Sequence, residues 1–331
     1  MIPTPTDGTI SIVARSPDLD TGAVEIVVTV PTFRRPEQVL ETLDSIRHQR
    51  TTRAFAIVLI ENDAEDRQGA AAAAPLFGSG ELTGMAIVAH DRGNCSAYNA
   101  GWLTAITHFA NLKHIAVIDD DEIADPEWLE KLCATAENLG ADIVAGPQIP
   151  VFPAGDRGWA AHPVFAPPYA ATGAVDVLYS SGNLLIGREV LARMGPPYLD
   201  LRFNFMGGGD SDFLSRSRQA GFRLAWCAEA KVSETVPARR LERDWIRKRS
   251  LRNGVISTLV EKKKRSASPF GNIRVMAKSL ALLAASPLRG LLRLLRTGSP
   301  AIALYPVYVA LGRVLAEFGY ANEQYRQPEK N

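Results

Sequence analysis

Three consecutive carboxylates, Asp119, Asp120 and Asp121, end an apolar run in "HIAVIDDDEIADPEWLEKL". Adjacent acids repel, so the arrangement is poor for stability unless a cation or a set of donors offsets it. Carried through the triplet, strand alternation puts Asp119 and Asp121 on one side and Asp120 on the other. Two carboxylates on one side can hold Mg2+ or Mn2+ and leave coordination places for phosphate oxygens. The alternative is a solvated acidic turn capping the next helix, a role Asp125 already fills. A second acidic pair, Asp210 and Asp212, lies in "GGGDSDF", where glycines permit close approach of a ligand. A carboxylate there is either a helix cap or a general base, a role worth about 10²–10⁴ in rate. A basic stretch, "ARRLERDWIRKRSLRNG", sets Arg239, Arg243 and Arg247 along one expected helix face, with Arg240 and Arg249 nearby. Guanidinium forks suit phosphate; a solvated face is the ordinary alternative.

The charge of the whole chain hides an asymmetry. Net charge is +1 over 331 residues, yet Lys231 to Arg296 carries 17 Lys or Arg against 4 Asp or Glu, making that segment +13 and the rest −12. Such a split implies an anionic partner for the C-terminal third. Nucleic acid fits poorly, since no binding motif is present and few aromatics interleave the basic residues. Cys95, Cys133 and Cys227 are odd in number and widely spaced, as expected of buried thiols in a reducing compartment. The first twenty residues lack the basic start and apolar stretch of a secretory leader. The longest uncharged run, Gly298 to Gly312, is too short to span a bilayer and contains Pro306. A cytoplasmic protein is therefore expected. Against this, "PLRGLLRLLR" sets Leu288, Leu291, Leu292 and Leu295 opposite Arg289, Arg293 and Arg296, which suits either an anionic membrane surface or packing on the main domain.

The elements that must position these residues read as alternating strands and helices. After a loose arm to about residue 22, strands are expected at "VEIVVTV", "FAIVLI", "MAIVAH", "HIAVI" and "DIVAG". Helices follow at "PEQVLETLDSIRHQ", "CSAYNAGWLTAITHFA" and from Asp125 to Gly140. This is an α/β protein with a mostly parallel sheet and helices on both faces. Polar clusters stand at three strand ends ("PTFRR", "ENDAED" and "DDDE"), where ligands bind in such sheets. The later part is less regular: "VDVLYSSGNLLIGREVL" implies a strand or two and a short helix, and a helix is expected over Ser211 to Ala220. Beyond Ser266 the pattern implies amphipathic helices. The expected organisation is an arm over 1–22, a catalytic domain over 23–235 and a basic helical region over 236–331.

The order "VVTVPTFRRPEQVLETLDSIRHQ", "IENDAED", "NCSAYNAGW", "VIDDDEIADPEWLEKL" and "GGGDSDFLSRSRQAGF" resembles family 2 glycosyltransferases of the GT-A, Rossmann-like fold. The tail "KVSETVPARRLERDWIRKRSLRNG" is similar to the subgroup that builds bacterial exopolysaccharides of the succinoglycan type. The likeness covers about residues 24 to 255. It implies an inverting transfer from a nucleotide-diphospho-sugar, UDP-glucose by family weight, with divalent Mn2+ or Mg2+. The nucleotide-sugar half would be about 23–125 and the acceptor half about 126–235. Pro31, Thr32 and Arg34 would border the nucleotide, Glu61 and Asp63 its base and ribose, and Asp120 would lie beside the cofactor. Asp119 and Asp121 would form the metal-binding Asp-x-Asp pair, and Asp210 would deprotonate the acceptor. That acceptor would be a growing polyprenyl-diphosphate-linked saccharide, the enzyme lying peripherally on the inner face of the plasma membrane.

This chain departs from the family pattern at three places. Gly209 precedes Asp210 where the family often has Glu, which admits Asp212 as the base. Tyr98 stands where an arginine is common. Glu234 occupies the neighbourhood of a histidine ligand, and its oxygen still suits a hard cation. Two other readings use the same residues: another Asp-x-Asp phosphoryl-chemistry enzyme, or a catalytically inert sugar-nucleotide or membrane-surface binding protein. Phosphatase nucleophiles usually follow the first strand, whereas "DDD" follows the fourth.

Overall fold

The computed structural model describes residues 9–153 and 157–320. The central sheet begins with β1 (Ile10–Arg15), β2 (Ile26–Thr32), β3 (Phe55–Glu61), β4 (Gly84–Ala89) and β5 (His114–Ile118). Between them run α1 (Pro36–Arg47), α2 (Gln68–Gly78) and α3 (Asn94–His108). The chain continues through β6 (Glu122–Ala124), α4 (Trp128–Leu139), β7 (Ile143–Ala145), β8 (Gln148–Val151), β9 (Gly173–Val175) and β10 (Asn183–Gly187). Next come α5 (Arg188–Met194), α6 (Gly209–Gln219), β11 (Leu224–Trp226) and β12 (Val232–Thr235). Three long helices follow: α7 (Arg243–Lys264), α8 (Gly271–Thr297) and α9 (Pro300–Glu317).

Among the described residues, nine strands form the main sheet in the order β1-β4-β3-β2-β5-β10-β7-β11-β9. β4, β3, β2 and β5 are parallel neighbours, while β10 runs antiparallel between β5 and β7. A second sheet, β6-β12-β8, stands beside the carboxylates that follow β5. Helices cover both faces because successive strand residues point opposite ways. Val27 and Val58 pack with Trp102 of α3 and Phe213 of α6, whereas Val28 and Leu59 pack with Leu43 of α1 and Trp128 of α4. Trp102 anchors its face, with ring centroids 5.8, 5.9 and 5.1 Å from Tyr98, Tyr198 and Phe213.

The arm is not loose beyond residue 9. Ile10–Arg15 pairs antiparallel with β4 as an edge strand, half-exposed along its length; its apolar residues Ile10, Ile12, Val13 and Ala14 are a strand signal that the reading as a loose arm passed over. The alanine-rich stretch forms α2; alanine has the highest helix propensity and shows no amphipathic period. Asp125 lies two residues before the actual N-cap of α4, Glu127, and its carbonyl accepts from the Trp128 amide. Gly140 does end that helix, in the left-handed conformation. All three cysteines are buried and free.

The helices α7 and α9 cross at reciprocal glycines. A Cβ on Gly254 would stand 2.1 Å from the Val309 carbonyl oxygen, and one on Gly312 would stand 1.9 Å from that of Leu251. Only hydrogen fits between the backbones. Gly312→Ala is therefore expected to cost about 1–3 kcal/mol through overpacking and to lower Tm. Gly78→Ala, with open space around it, should be neutral or gain up to about 1 kcal/mol. Paired thermal melts check both.

α8 is amphipathic in an inverted sense. Its buried positions are Gly271, Val275, Ser279, Ser286 and Gly290, so small residues face the protein. Ile273, Leu280, Leu288, Leu291, Leu292 and Leu295 are exposed, Leu295 at 76%. Among the described residues, these leucines do not pack on the main domain. By length and composition α8 is also long and apolar enough to cross a membrane. Its charges, Arg274, Lys278, Arg289, Arg293 and Arg296, are spread along it, so it contains no long uncharged run.

Candidate active site

The carboxylates lie at the C-terminal ends of the parallel strands, where a cleft of about 1250 Å3 opens. β5 stops at Ile118, so strand alternation does not extend through the triplet and does not decide how the three acids divide. Asp120 is buried, accepting from the Thr32 hydroxyl at 2.8 Å and from Arg35 Nη1 at 3.0 Å. The same nitrogen donates to Asp121 at 2.7 Å, so one guanidinium joins Asp120 and Asp121. Asp119 accepts instead from the Tyr98 hydroxyl, which in turn accepts from Ser181 at 3.2 Å. Glu122 is buried, receiving the Asp119 amide at 3.0 Å and the Gln148 side chain.

These acids are held at an electrostatic cost. Burial, then the neighbouring Asp121 charge, pushes Asp119 up to about 7. Burial pushes Asp120 up to about 6 against the opposing Arg35 charge. Glu234, on β12, is also raised by burial, against the charge of Arg240, which donates to it. Gly182 closes the cluster, since a Cβ there would lie 2.8 Å from Asp119 Oδ2 and from Glu122 Oε1. The donors are hard oxygens carrying more negative charge than Arg35 and Arg240 offset, which fits a divalent cation. No three His, Cys, Asp or Glu side chains converge at liganding spacing among the described residues. Asp119 and Asp121 would thus supply two positions, leaving the others to water and phosphate oxygens.

Pro31, Thr32 and Arg34 line the cleft. Arg34 is held in a left-handed backbone conformation, φ 56°, with Nε 2.5 Å from Asp63. Its neighbour Arg35 turns inward. That division was not legible in "PTFRR", although the residue before Pro36 is restricted to extended geometry. Glu61 is placed differently from its expected role: fully buried, it accepts the amides of Asp63, Gly69 and Ala70 at 2.9, 2.8 and 3.1 Å. It caps α2 and does not reach the cleft. Asp63 is likewise spent on Arg34 and on the amides of Glu65 and Asp66. Asn62 reaches the cleft instead, its side chain tying Ala89, Asp91 and Gly93 together.

Across the cleft, Asp210 opens α6 beside Gly207 and Gly208, both with positive φ. Its carboxylate accepts the Ser211 amide at 2.7 Å. Burial raises it from the ordinary aspartate value, and the Ser211 amide, Arg252 and Arg249 pull the other way. Asp212 is turned from the cleft into an ion network, with Arg216 Nε and Lys263 Nζ each 2.8 Å away and Lys263 also 2.7 Å from Asp200. It is spoken for structurally, whereas Asp210 lines the cleft. The basic stretch does not run as one helix face. α7 starts at Arg243, and Arg239 belongs to a preceding 3-10 turn. Arg247 pairs with Asp244 in solvent, while Arg240, Arg249 and Arg252 face the cleft.

The family model of glycosyl transferase family 2 matches residues 27–193, the span that carries β2 to β10 and the Asp triplet. The chain belongs to this family. It is 33% identical over 144 residues to the succinoglycan biosynthesis protein ExoM of Rhizobium meliloti (strain 1021), covering 42% of this chain and 45% of that relative. The chain thus matches less than half of the relative's length. Among solved structures it is similar to the mannosyltransferase PcManGT from Pyrobaculum calidifontis in complex with GDP-Man and Mn2+. There the TM-score is 0.56 and the identity 17%, over 89% of each chain. It is also similar to S. aureus TarS 1-349 in complex with UDP, with TM-score 0.50 and 12% identity over 90% of this chain and 91% of that one. At these identities the likeness establishes the fold, which is GT-A.

Proposed function

We propose that the protein is an inverting, metal-assisted glycosyltransferase acting in exopolysaccharide assembly, taking its sugar from a nucleotide-diphospho-sugar such as UDP-glucose. The observation that carries this is one cleft with the Asp119–Asp121 cluster on one wall and Asp210 on the other. Family membership and the ExoM likeness support it, as do UDP and GDP-Man in the similar structures. Asp119 and Asp121 would hold Mn2+ or Mg2+. When bound, the ion would supply Lewis-acid neutralisation of charge on the departing diphosphate. Asp210 takes the proton of the acceptor hydroxyl as that oxygen attacks the anomeric carbon from the side opposite the diphosphate. An α-linked donor then gives a β-linked product. Burial of Asp210 makes it a better base than a solvated aspartate. Tyr98 and Arg35 orient the acids, and Thr32 fixes Asp120.

The acceptor is a lipid-linked saccharide met at the inner face of the plasma membrane. No Asp or Glu occurs between Glu261 and Glu317, while that interval holds ten Lys or Arg. Beside them stands the exposed leucine face of α8. Apolar area flanked by basic residues suits an anionic bilayer surface. Vesicles with anionic lipid should co-sediment the full chain, and replacing Leu288, Leu291 and Leu295 by Ser should weaken binding by about tenfold or more. Equal partition of wild type and variant would remove the membrane role.

The activity itself is tested with purified full-length protein, Mn2+ and a panel of UDP-, GDP- and dTDP-sugars, reading release of nucleoside diphosphate with and without a chelator. Metal-dependent release from one donor is expected. Binding of a donor without release in the presence of lipid-linked acceptors would favour the inert binding protein.

A further inference from the structure

A cleft-facing cation has been left without a partner. Arg34, Arg35, Arg218 and Arg240 each face a carboxylate within hydrogen-bonding distance, and Arg252 donates Nε to the Met206 carbonyl at 3.0 Å. Arg249 lines the same cleft, half-buried on α7, and among the described residues it has neither a hydrogen bond nor an ion pair. It is not remote from the acids, because its charge acts on Asp210 of α6 and on Glu234 of β12. Arg249 thus lines the cleft with its guanidinium donors unspent and its charge felt by acids on two different elements. A half-buried guanidinium is weakly hydrated and presents a planar fork that matches phosphate oxygens.

We propose that Arg249 receives the diphosphate of the sugar donor, binding it in the ground state and taking up charge as it departs. The inference rests on the glycosyltransferase reading and assigns it a residue outside the span matched by the family model. In the step, the acceptor oxygen forms its bond to the anomeric carbon and gives its proton to Asp210. The bond from that carbon to the phosphate oxygen breaks, and its electron pair stays on the oxygen, where Arg249 donates hydrogen bonds. Arg249 exchanges no proton. The same diphosphate chemistry occurs in a lipid-linked acceptor, so the probe must be the soluble nucleotide.

The experiment is calorimetry of UDP, GDP and dTDP, each with Mn2+, on the full chain and on Arg249→Ala. One nucleotide should bind wild type, and the variant should bind it about 10- to 100-fold more weakly, the worth of a charge-assisted phosphate contact. Lys248→Ala, whose target pairs with Asp244 in solvent, should bind as wild type does. Arg249→Gln is read in the same way should the alanine variant melt early. Removing Arg249 should also shift the acid limb of kcat/KM to higher pH. Arg249 and Arg252 on α7 hold Asp210 down against burial, while the Cys95 thiol facing it from α3 is itself pushed up to about 12. Unchanged nucleotide affinity in a folded Arg249 variant overturns the assignment and leaves the glycosyltransferase reading standing. Wild type that binds none of the three nucleotides overturns both.

Discussion

Asp210→Asn should lower kcat by about 10²–10⁴, the range for loss of a general base, with nucleoside diphosphate affinity kept. Asparagine preserves the shape and still accepts the Ser211 amide that Asp210 now receives at 2.7 Å. What disappears is the ability to accept a proton. The comparison with Asp212→Asn is informative, since Asp212 is buried against Arg216 and Lys263. Breaking such a network costs stability through unpaired buried charge, so that variant should melt earlier. Activity in wild type should fail on the acid side at a pH above the ordinary aspartate value, because burial raises Asp210 and only its ionised form is a base. Rate is then present above the raised value and lost as pH falls through it. Unaltered turnover in Asp210→Asn would place the base elsewhere.

Asp121→Ala should abolish the response to Mn2+ and reduce turnover by about 10²-fold or more, corresponding to several kcal/mol of lost charge stabilisation. The protein should remain folded. Arg35 keeps Asp120 at 3.0 Å, and removing Asp121 relieves one of the repulsions that raise Asp119. Without metal, the variant should therefore melt at the wild-type temperature or above it. Loss of activity with retained or increased stability is the signature of a site built at the expense of stability. A Mn2+ titration with wild-type affinity in Asp121→Ala would show that this carboxylate is not a ligand.

The sequence was most legible where burial on both faces leaves continuous apolar runs, as in β2, β3 and β5. Helix α1 was equally plain, because Val39, Leu43 and Ile46 recur at its period and Pro36 opens it. Legibility failed where a strand is half-exposed, as in β1, or a helix has no period, as in α2. At the site, residue type gave the three acids and Asp210, but orientation was hidden. Strand alternation cannot be extended past Ile118, so the pairing of Asp120 with Asp121 through Arg35 appeared only in three dimensions. The family resemblance placed Glu61 beside the base and ribose, yet its position at the end of β3 lets it reach the open amides of α2. Arg249 was one arginine among many until its place on the cleft and the acids its charge reaches were known. The exposed leucines of α8 were visible as a pattern, although their direction depended on which face Gly290 and Ser286 buried.

The central claim is that a divalent ion and a nucleoside diphosphate meet at Asp119 and Asp121, facing Asp210. The most direct measurement is a crystal structure of the full chain with Mn2+ and the bound nucleotide, read from the anomalous signal of manganese. The account predicts a peak about 2.0–2.2 Å from an Asp121 oxygen, the spacing of a small octahedral cation, with the diphosphate between it and Arg249. Nucleotide bound elsewhere, or a peak away from both aspartates, would contradict it.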